Sequence, residues 1–162
     1  MQMDKPSAKY VADSRTQQVQ IVLPQHANSC RRLFGGVLMQ WIDVTAAVTA
    51  RRHSGREVTT ACIDMLDFVS PAYVGDTVLL EGCITHVGNT SMEVRVNTYV
   101  ESLDGKREMV NRAYLVLVAI DEQGNPAQVP GLITVNDQEQ AEWEAGAKRK
   151  ELRNNRRKKY LG

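Results

Sequence analysis

Hydrophobic positions recur along this chain with two different periods. In TSMEVRVNTYVE (residues 90–101), Met92, Val94, Val96, Thr98 and Val100 alternate with Glu93, Arg95, Asn97 and Tyr99. A period of two is that of a β-strand with one covered face. Three further segments read as strands: EVTTACIDMLDF (57–68), TVLLEGCITHV (77–87) and KREMVNRAYLVLVAI (106–120), set apart by the turn formers SPAYVGD, GN and LDG. Asp104-Gly105 predicts a tight hairpin. QVQIVL (18–23) reads as a shorter first strand ended by Pro24.

The stretch LFGGVLMQWIDVTAA (33–47) follows the other rule. It predicts a helix of about five turns, apolar nearly all round, starting near Gly35 and capped by Gly55. Such a helix must be enclosed. The polar segment from Asn136 to Leu161 predicts a second helix, loosely packed, with Trp143 as its one large apolar anchor. The order strand, long helix, four strands, peripheral helix implies an α+β fold, an antiparallel sheet wrapped around one long central helix. Residues 1–135 form the domain on this reading, and 136–162 a polar, basic C-terminal helix or tail.

Composition narrows the function little. Hydrophobic residues at 43% and charged ones at 24% suit a globular protein, and 6% aromatics offer no stacking platform for bases. Cys30, Cys62 and Cys83 are odd in number without CxxC spacing, as expected of reduced thiols. The longest apolar run, Ala113 to Ile120, is too short to span a bilayer, and MQMDKPSAKY has no apolar signal core. A cytoplasmic location is expected. Net charge is +1, yet Lys148 to Lys159 holds eight basic residues and one acid. A solvated helix is the simplest account of that run; binding to nucleic acid or an anionic surface competes with it.

No GxSxG, Walker A or HExxH motif occurs, and His26, His53 and His86 lie at no metal-ligand spacing. No metal or cofactor is expected. Asp43 is the anomaly, because its helical neighbours Met39, Gln40, Ala46 and Ala47 offer little to neutralise a charge. It could be the polar edge of an amphipathic helix. Against that stands the Gly35-Gly36 start, which costs propensity of roughly 1 kcal/mol per glycine but lets a ligand reach free backbone N–H groups. Those donors and the carboxylate are about 12 Å apart along the axis, so one reacting carbon would need both from two facing chains.

The ordered set HAN, FGG, MQWID, ARRH, VTTACID, FVSP, VGD and GNTSMEV, between about Val19 and Ala119, resembles the acyl-CoA thioesterases of the hot-dog fold. That resemblance implies hydrolysis of fatty acyl-CoA to acid and coenzyme A, a role in lipid metabolism, and dimers with interfacial sites, commonly a hexameric trimer of dimers. It places the catalytic acid on Asp43, a site amide on Asn28, an oxyanion N–H on Gly35 and a supporting hydroxyl on Thr60. It further implies CoA contacts at Gly36, Arg52 and the turn Gly88, Asn89, Thr90 and Ser91. Many relatives have glycine where this chain has Arg31, which puts the loop geometry there in question; Arg31 could instead meet a CoA phosphate. His53 reads as a satisfied helix-end histidine, and Asp64 and Asp67, on opposite faces of their strand, as structural or interfacial. Either route, Asp43 activating water or attacking to form an anhydride, needs the ionised carboxylate. A non-catalytic acyl-CoA-binding module and a nucleic-acid-associated protein using the tail are the alternatives.

Overall fold

The structure, a computed structural model, describes residues 6–161. The chain runs β1 (Lys9–Tyr10), α1 (Val11–Ser14), β2 (Thr16–Ile21), a 3-10 turn (Pro24–His26), α2 (Gly35–Ser54), β3 (Glu57–Phe68), β4 (Thr77–Val87), β5 (Ser91–Glu101), β6 (Arg107–Ile120), β7 (Leu132–Ile133) and α3 (Asp137–Tyr160). Five strands form one antiparallel sheet in the order β2-β4-β5-β6-β3, and β1 pairs in parallel with β7.

Alternation decides which face meets α2. Met92, Val94, Val96 and Thr98 of β5 are fully buried and join Leu80, Ile84, Leu115 and Leu117 in the core around Leu38, Ile42, Ala46 and Ala50 of α2. The helix ends as expected: Gly55 takes φ 66, and its N–H donates to the Arg51 carbonyl at 2.8 Å. The predicted hairpin forms too. The Ser102 N–H donates to the Lys106 carbonyl at 2.9 Å around three loop residues, with Gly105 left-handed at φ 82. The first strand lies two residues earlier than its alternation suggested. Pro24 opens a 3-10 turn instead of ending β2, because the Val22 N–H already leaves the ladder for the Asp76 carbonyl at 2.9 Å.

Two expectations fail together on the outer face. Glu93, assigned to solvent by alternation, is 2% exposed, and the C-terminal helix is not loosely packed. Arg149 meets Glu93 at 2.8 Å, Arg153 bridges Glu93 at 2.8 Å and Asp64 at 2.9 Å, and Arg156 reaches Asp64 at 2.9 Å. Asp64 is therefore structural, as expected. Trp143 does anchor the helix, stacked on His86 at 4.3 Å between ring centroids. Gly146 allows that approach, since a Cβ there would lie 2.6 Å from the His86 Cβ. The helix begins at a capped end, where the Asn136 side chain accepts the Glu139 N–H at 2.9 Å. Periodicity missed this docking because the glue is charge on both partners.

Among the described residues, no helix is long and apolar enough to cross a membrane.

Removing one partner of a buried ion pair strands the other, at a cost of about 3–5 kcal/mol. Glu93→Ala should lower the unfolding free energy by that amount in urea titrations; a loss under about 1 kcal/mol would show that the cluster does not clamp α3. A second expectation concerns pH. His53 is buried with Nε2 3.1 Å from the Pro130 carbonyl, and burial pushes its pKa below the ordinary value. The unfolded chain then binds the extra proton first, so this contribution is complete above about pH 6.5 and is lost as pH falls below it. The urea midpoint should drop between pH 7.5 and 5.5, and drop less in His53→Gln; equal slopes would refute the assignment.

Candidate active site

Asp43 lies on the side of α2 nearest the edge strand β3 and is half-buried. Thr60, on β3, donates its hydroxyl to Asp43 Oδ1 at 2.6 Å. This short bond satisfies one carboxylate oxygen and fixes the plane of the group, leaving Oδ2 for chemistry. Seventeen residues separate the pair in sequence, and the strand that follows α2 brings them together.

Asn28 sits in the loop before α2. Its Oδ1 accepts the backbone N–H groups of Cys30 at 2.9 Å and Arg32 at 3.2 Å. With the oxygen engaged by the backbone, the Nδ2 end is the one left to serve a ligand, and it can only donate. Arg31 adopts φ 59, the left-handed conformation that glycine takes without penalty. The turn is held by the Arg31 N–H donating to the Asn28 carbonyl at 3.0 Å and by the Arg31 carbonyl accepting the Val74 N–H at 3.2 Å.

Gly35 and Gly36 open α2. The preceding Phe34 offers no side-chain cap, so the first N–H groups of the helix remain for water or a ligand. A Cβ at Gly36 would lie 2.7 Å from the Phe34 ring, so a side chain there would require that exposed ring to move. Beside this helix start is a cavity of about 330 Å³ lined by Asn28, Leu33, Leu38, Phe68, Val69 and Val110 among others. A Cβ at Gly35 would touch the Phe68 ring at 3.6 Å, placing Gly35 next to the cavity wall. Asp43 and Thr60 do not line it. Within one chain, then, the Asp43–Thr60 pair lies outside the cavity that Asn28 lines. The cavity wall is mixed, with Arg32 and Ser70 beside the apolar residues; Phe68 and Val69 belong to the FVSP motif, whereas Val110 looks like an ordinary strand residue and carried no signal.

The CoA candidates are not all brought together. Arg52 donates to the Arg15 carbonyl at 2.7 Å and to Thr16 Oγ1 at 3.3 Å, and it lines a different cavity. The Gly88–Ser91 turn is closed by the Gly88 N–H donating to the Ser91 carbonyl at 2.8 Å. Asn89 and Thr90 use their carbonyls to accept the Val129 N–H at 2.9 Å and the Ala119 N–H at 3.0 Å. Of the tail cations, Lys150 is the one at this turn, its Nζ 2.9 Å from where a Gly88 Cβ would be. No cluster of three His, Cys, Asp or Glu that could hold a metal occurs among the described residues.

Residues 32–104 match the Thioesterase superfamily model. An acyl-CoA thioester hydrolase of Bacillus subtilis (strain 168) is 36% identical over 96% of this chain and 91% of its own length. The chain belongs to the thioesterase superfamily. Its fold agrees with a solved apo-hexameric acyl-CoA thioesterase at TM-score 0.91, with 40% identity over 97% of this chain and all of that one (100%). The acyl-CoA hydrolase of Staphylococcus aureus, solved with butyryl-CoA, CoA and CoA disulfide, superposes at TM-score 0.89, with 34% identity over 94% of this chain and 93% of its own. Structures of that Staphylococcus enzyme also include separate variants in which an aspartate, an asparagine or a threonine is replaced by alanine. The long α2 wrapped by the five-stranded sheet is the hot-dog architecture of this superfamily.

Strain at Arg31 is measurable. A non-glycine residue in the left-handed region costs roughly 1–2 kcal/mol, and glycine's extra unfolded-state freedom returns about 0.4–1. Arg31→Gly should therefore raise stability by about 0.5 kcal/mol, while the β-branched Arg31→Val should lower it. Thermal unfolding of both variants checks the pair; stabilisation by Val would contradict the loop geometry.

Proposed function

We propose that the chain is an acyl-CoA thioester hydrolase that cleaves fatty acyl-CoA to the free acid and CoA, with Asp43 as the catalytic group. The observation that carries this reading is the Thr60 hydroxyl on Asp43 Oδ1 at 2.6 Å, which orients a half-buried carboxylate and leaves its other oxygen free for chemistry. In the water route, Oδ2 takes a proton as the water oxygen bonds to the thioester carbon. The tetrahedral oxyanion collapses, the C–S bond breaks, and the proton goes to the departing thiolate. In the anhydride route, Oδ2 bonds to the carbon directly, the thiolate leaves, and water then hydrolyses the acyl-aspartyl anhydride. In either case the Gly35 N–H and Asn28 Nδ2 donate to the carbonyl oxygen as it becomes negative. The steps use only protein groups and water.

The site is completed by a second copy of the chain. β3 is an edge strand, paired on one side only, with exposed Met65 and Phe68 on it and exposed Val69 just beyond its end, and exposed Met39 and Val44 lie on α2. A row of free backbone groups flanked by apolar side chains is a surface for self-association. Closing it sets Asp43 and Thr60 of one protomer against Asn28, Gly35 and the neighbouring cavity of its partner. The Leu33, Leu38, Phe68 and Val110 side of that cavity takes the acyl chain, and three such dimers give the hexamer. A non-catalytic acyl-CoA-binding module would have no use for a hydroxyl-fixed carboxylate, which favours the enzyme.

Thiol release from acyl-CoAs of increasing chain length tests the reading. Asp43→Ala should lose about 10²–10⁴-fold in turnover, and Thr60→Val should lose far more than Thr60→Ser. Mixing Asp43→Ala with Asn28→Ala chains should restore about a quarter of native activity, since random pairing makes half the dimers mixed and gives each one intact site. No turnover on any acyl-CoA, or no restoration on mixing, overturns the enzyme or the shared site respectively.

A further inference from the structure

A cavity of about 630 Å³ opens on the outer face of the sheet between β2, β4, β5 and the start of α3. Its walls include Arg95 and Asn97, whose neighbours Val94 and Val96 point inward to α2, so the cavity lies across the sheet from the core helix. Its size is that of a small-molecule site, but its lining is cationic, not apolar. Arg15, Arg52, Arg95 and Arg112 face it, against one acid, Glu81. That acid is already engaged by Gln17 Nε2 at 2.9 Å and by Arg107 at 3.2 Å.

The arginines are held but not satisfied. Arg112 donates through Nε to Asn97 Oδ1 at 2.9 Å, and Arg52 is tied through Nη1 to the Arg15 carbonyl, which orients each fork and leaves further N–H groups over. The Arg15 guanidinium makes no hydrogen bond among the described residues. Arg95 meets Glu142 at 3.1 Å, yet its Nε–H is buried with no partner among the described residues. A buried unpaired donor on a guanidinium is costly unless something accepts from it. Burial pushes the Cys83 thiol up, so this wall residue stays neutral and adds no compensating negative charge.

We propose that this cavity is a second binding site, separate from Asp43, for a polyphosphate anion gripped by Arg15, Arg95 and Arg112. Planar guanidinium forks suit phosphate oxygens, and the convergence of several on one space selects an anion of more than one charge. The polyphosphate could belong to a free molecule or to the nucleotide end of an acyl-CoA bound at a neighbouring protomer.

Calorimetric titration of the folded native chain with sodium pyrophosphate at low ionic strength tests this without any turnover, so it stands or falls apart from the thioesterase reading. Native protein should bind, and Arg15→Gln/Arg112→Gln should bind about 100-fold more weakly, near tenfold for each charge-assisted hydrogen bond removed. Circular dichroism checks that the variant is folded. KM values then separate the sources. A rise for acyl-CoA but not for the phosphate-free acyl-pantetheine assigns the anion to the substrate's nucleotide; unchanged KM for both, with pyrophosphate binding abolished, assigns a free polyphosphate. No binding to the native chain, or equal affinity in the folded double variant, overturns the proposal.

Discussion

Enclosure of α2 is the constraint on which the rest of the molecule depends. A helix apolar on nearly every side can only be stable when the sheet curls around it, and the residues that line it, from Val78 to Leu117, are those the strand period turns inward. The sheet does not close, however. Its order leaves β3 paired on one side alone, and there the polar stripe of α2 emerges. A carboxylate on any buried face of this helix would be left without a partner. At the β3 edge it keeps some solvent and gains the Thr60 hydroxyl, which offsets the cost of partial burial. The position of the candidate catalyst is thus a consequence of where the wrapping stops.

The second organising feature is the clamp on α3. Glu93 is an ionised-type side chain placed under a helix, tolerable because Arg149, Arg153 and the Thr85 hydroxyl all donate to it. Such clusters add less net stability than their number of bonds suggests, since each charge loses its hydration. What they do supply is register: this placement of α3 satisfies Glu93 and Asp64 together while stacking Trp143 on His86. That register carries Lys150 to the Gly88–Ser91 turn and the start of α3 to the mouth of the outer cavity.

Much of this was legible in the chain itself. Both ends of α2, the hairpin at Asp104-Gly105 and the strand faces follow from local rules of spacing and turn chemistry. Asp43 stood out because a charge among aliphatic helical neighbours has no local partner. Where local rules misled, the partner was distant. Glu93 alternates like a solvent residue, and nothing near it in sequence says that arginines sixty positions later will cover it. Arg31 looks like an ordinary loop residue in the sequence, and only the backbone angle reveals that it holds the left-handed conformation glycine favours.

By itself, then, the sequence determined the elements, the inward faces, the long enclosed helix and the suspicious carboxylate, since each depends on residues within a few positions of one another. Only the tertiary structure decided that Thr60 holds Asp43, that Arg149, Arg153 and Arg156 of the basic tail pair with Glu93 and Asp64 on the sheet, and that Asn28 keeps its amide oxygen for its own loop. It also decided that the Asp43–Thr60 pair of one chain lies outside the cavity that Asn28 lines. These are matters of long-range pairing and direction, which one-dimensional spacing does not encode.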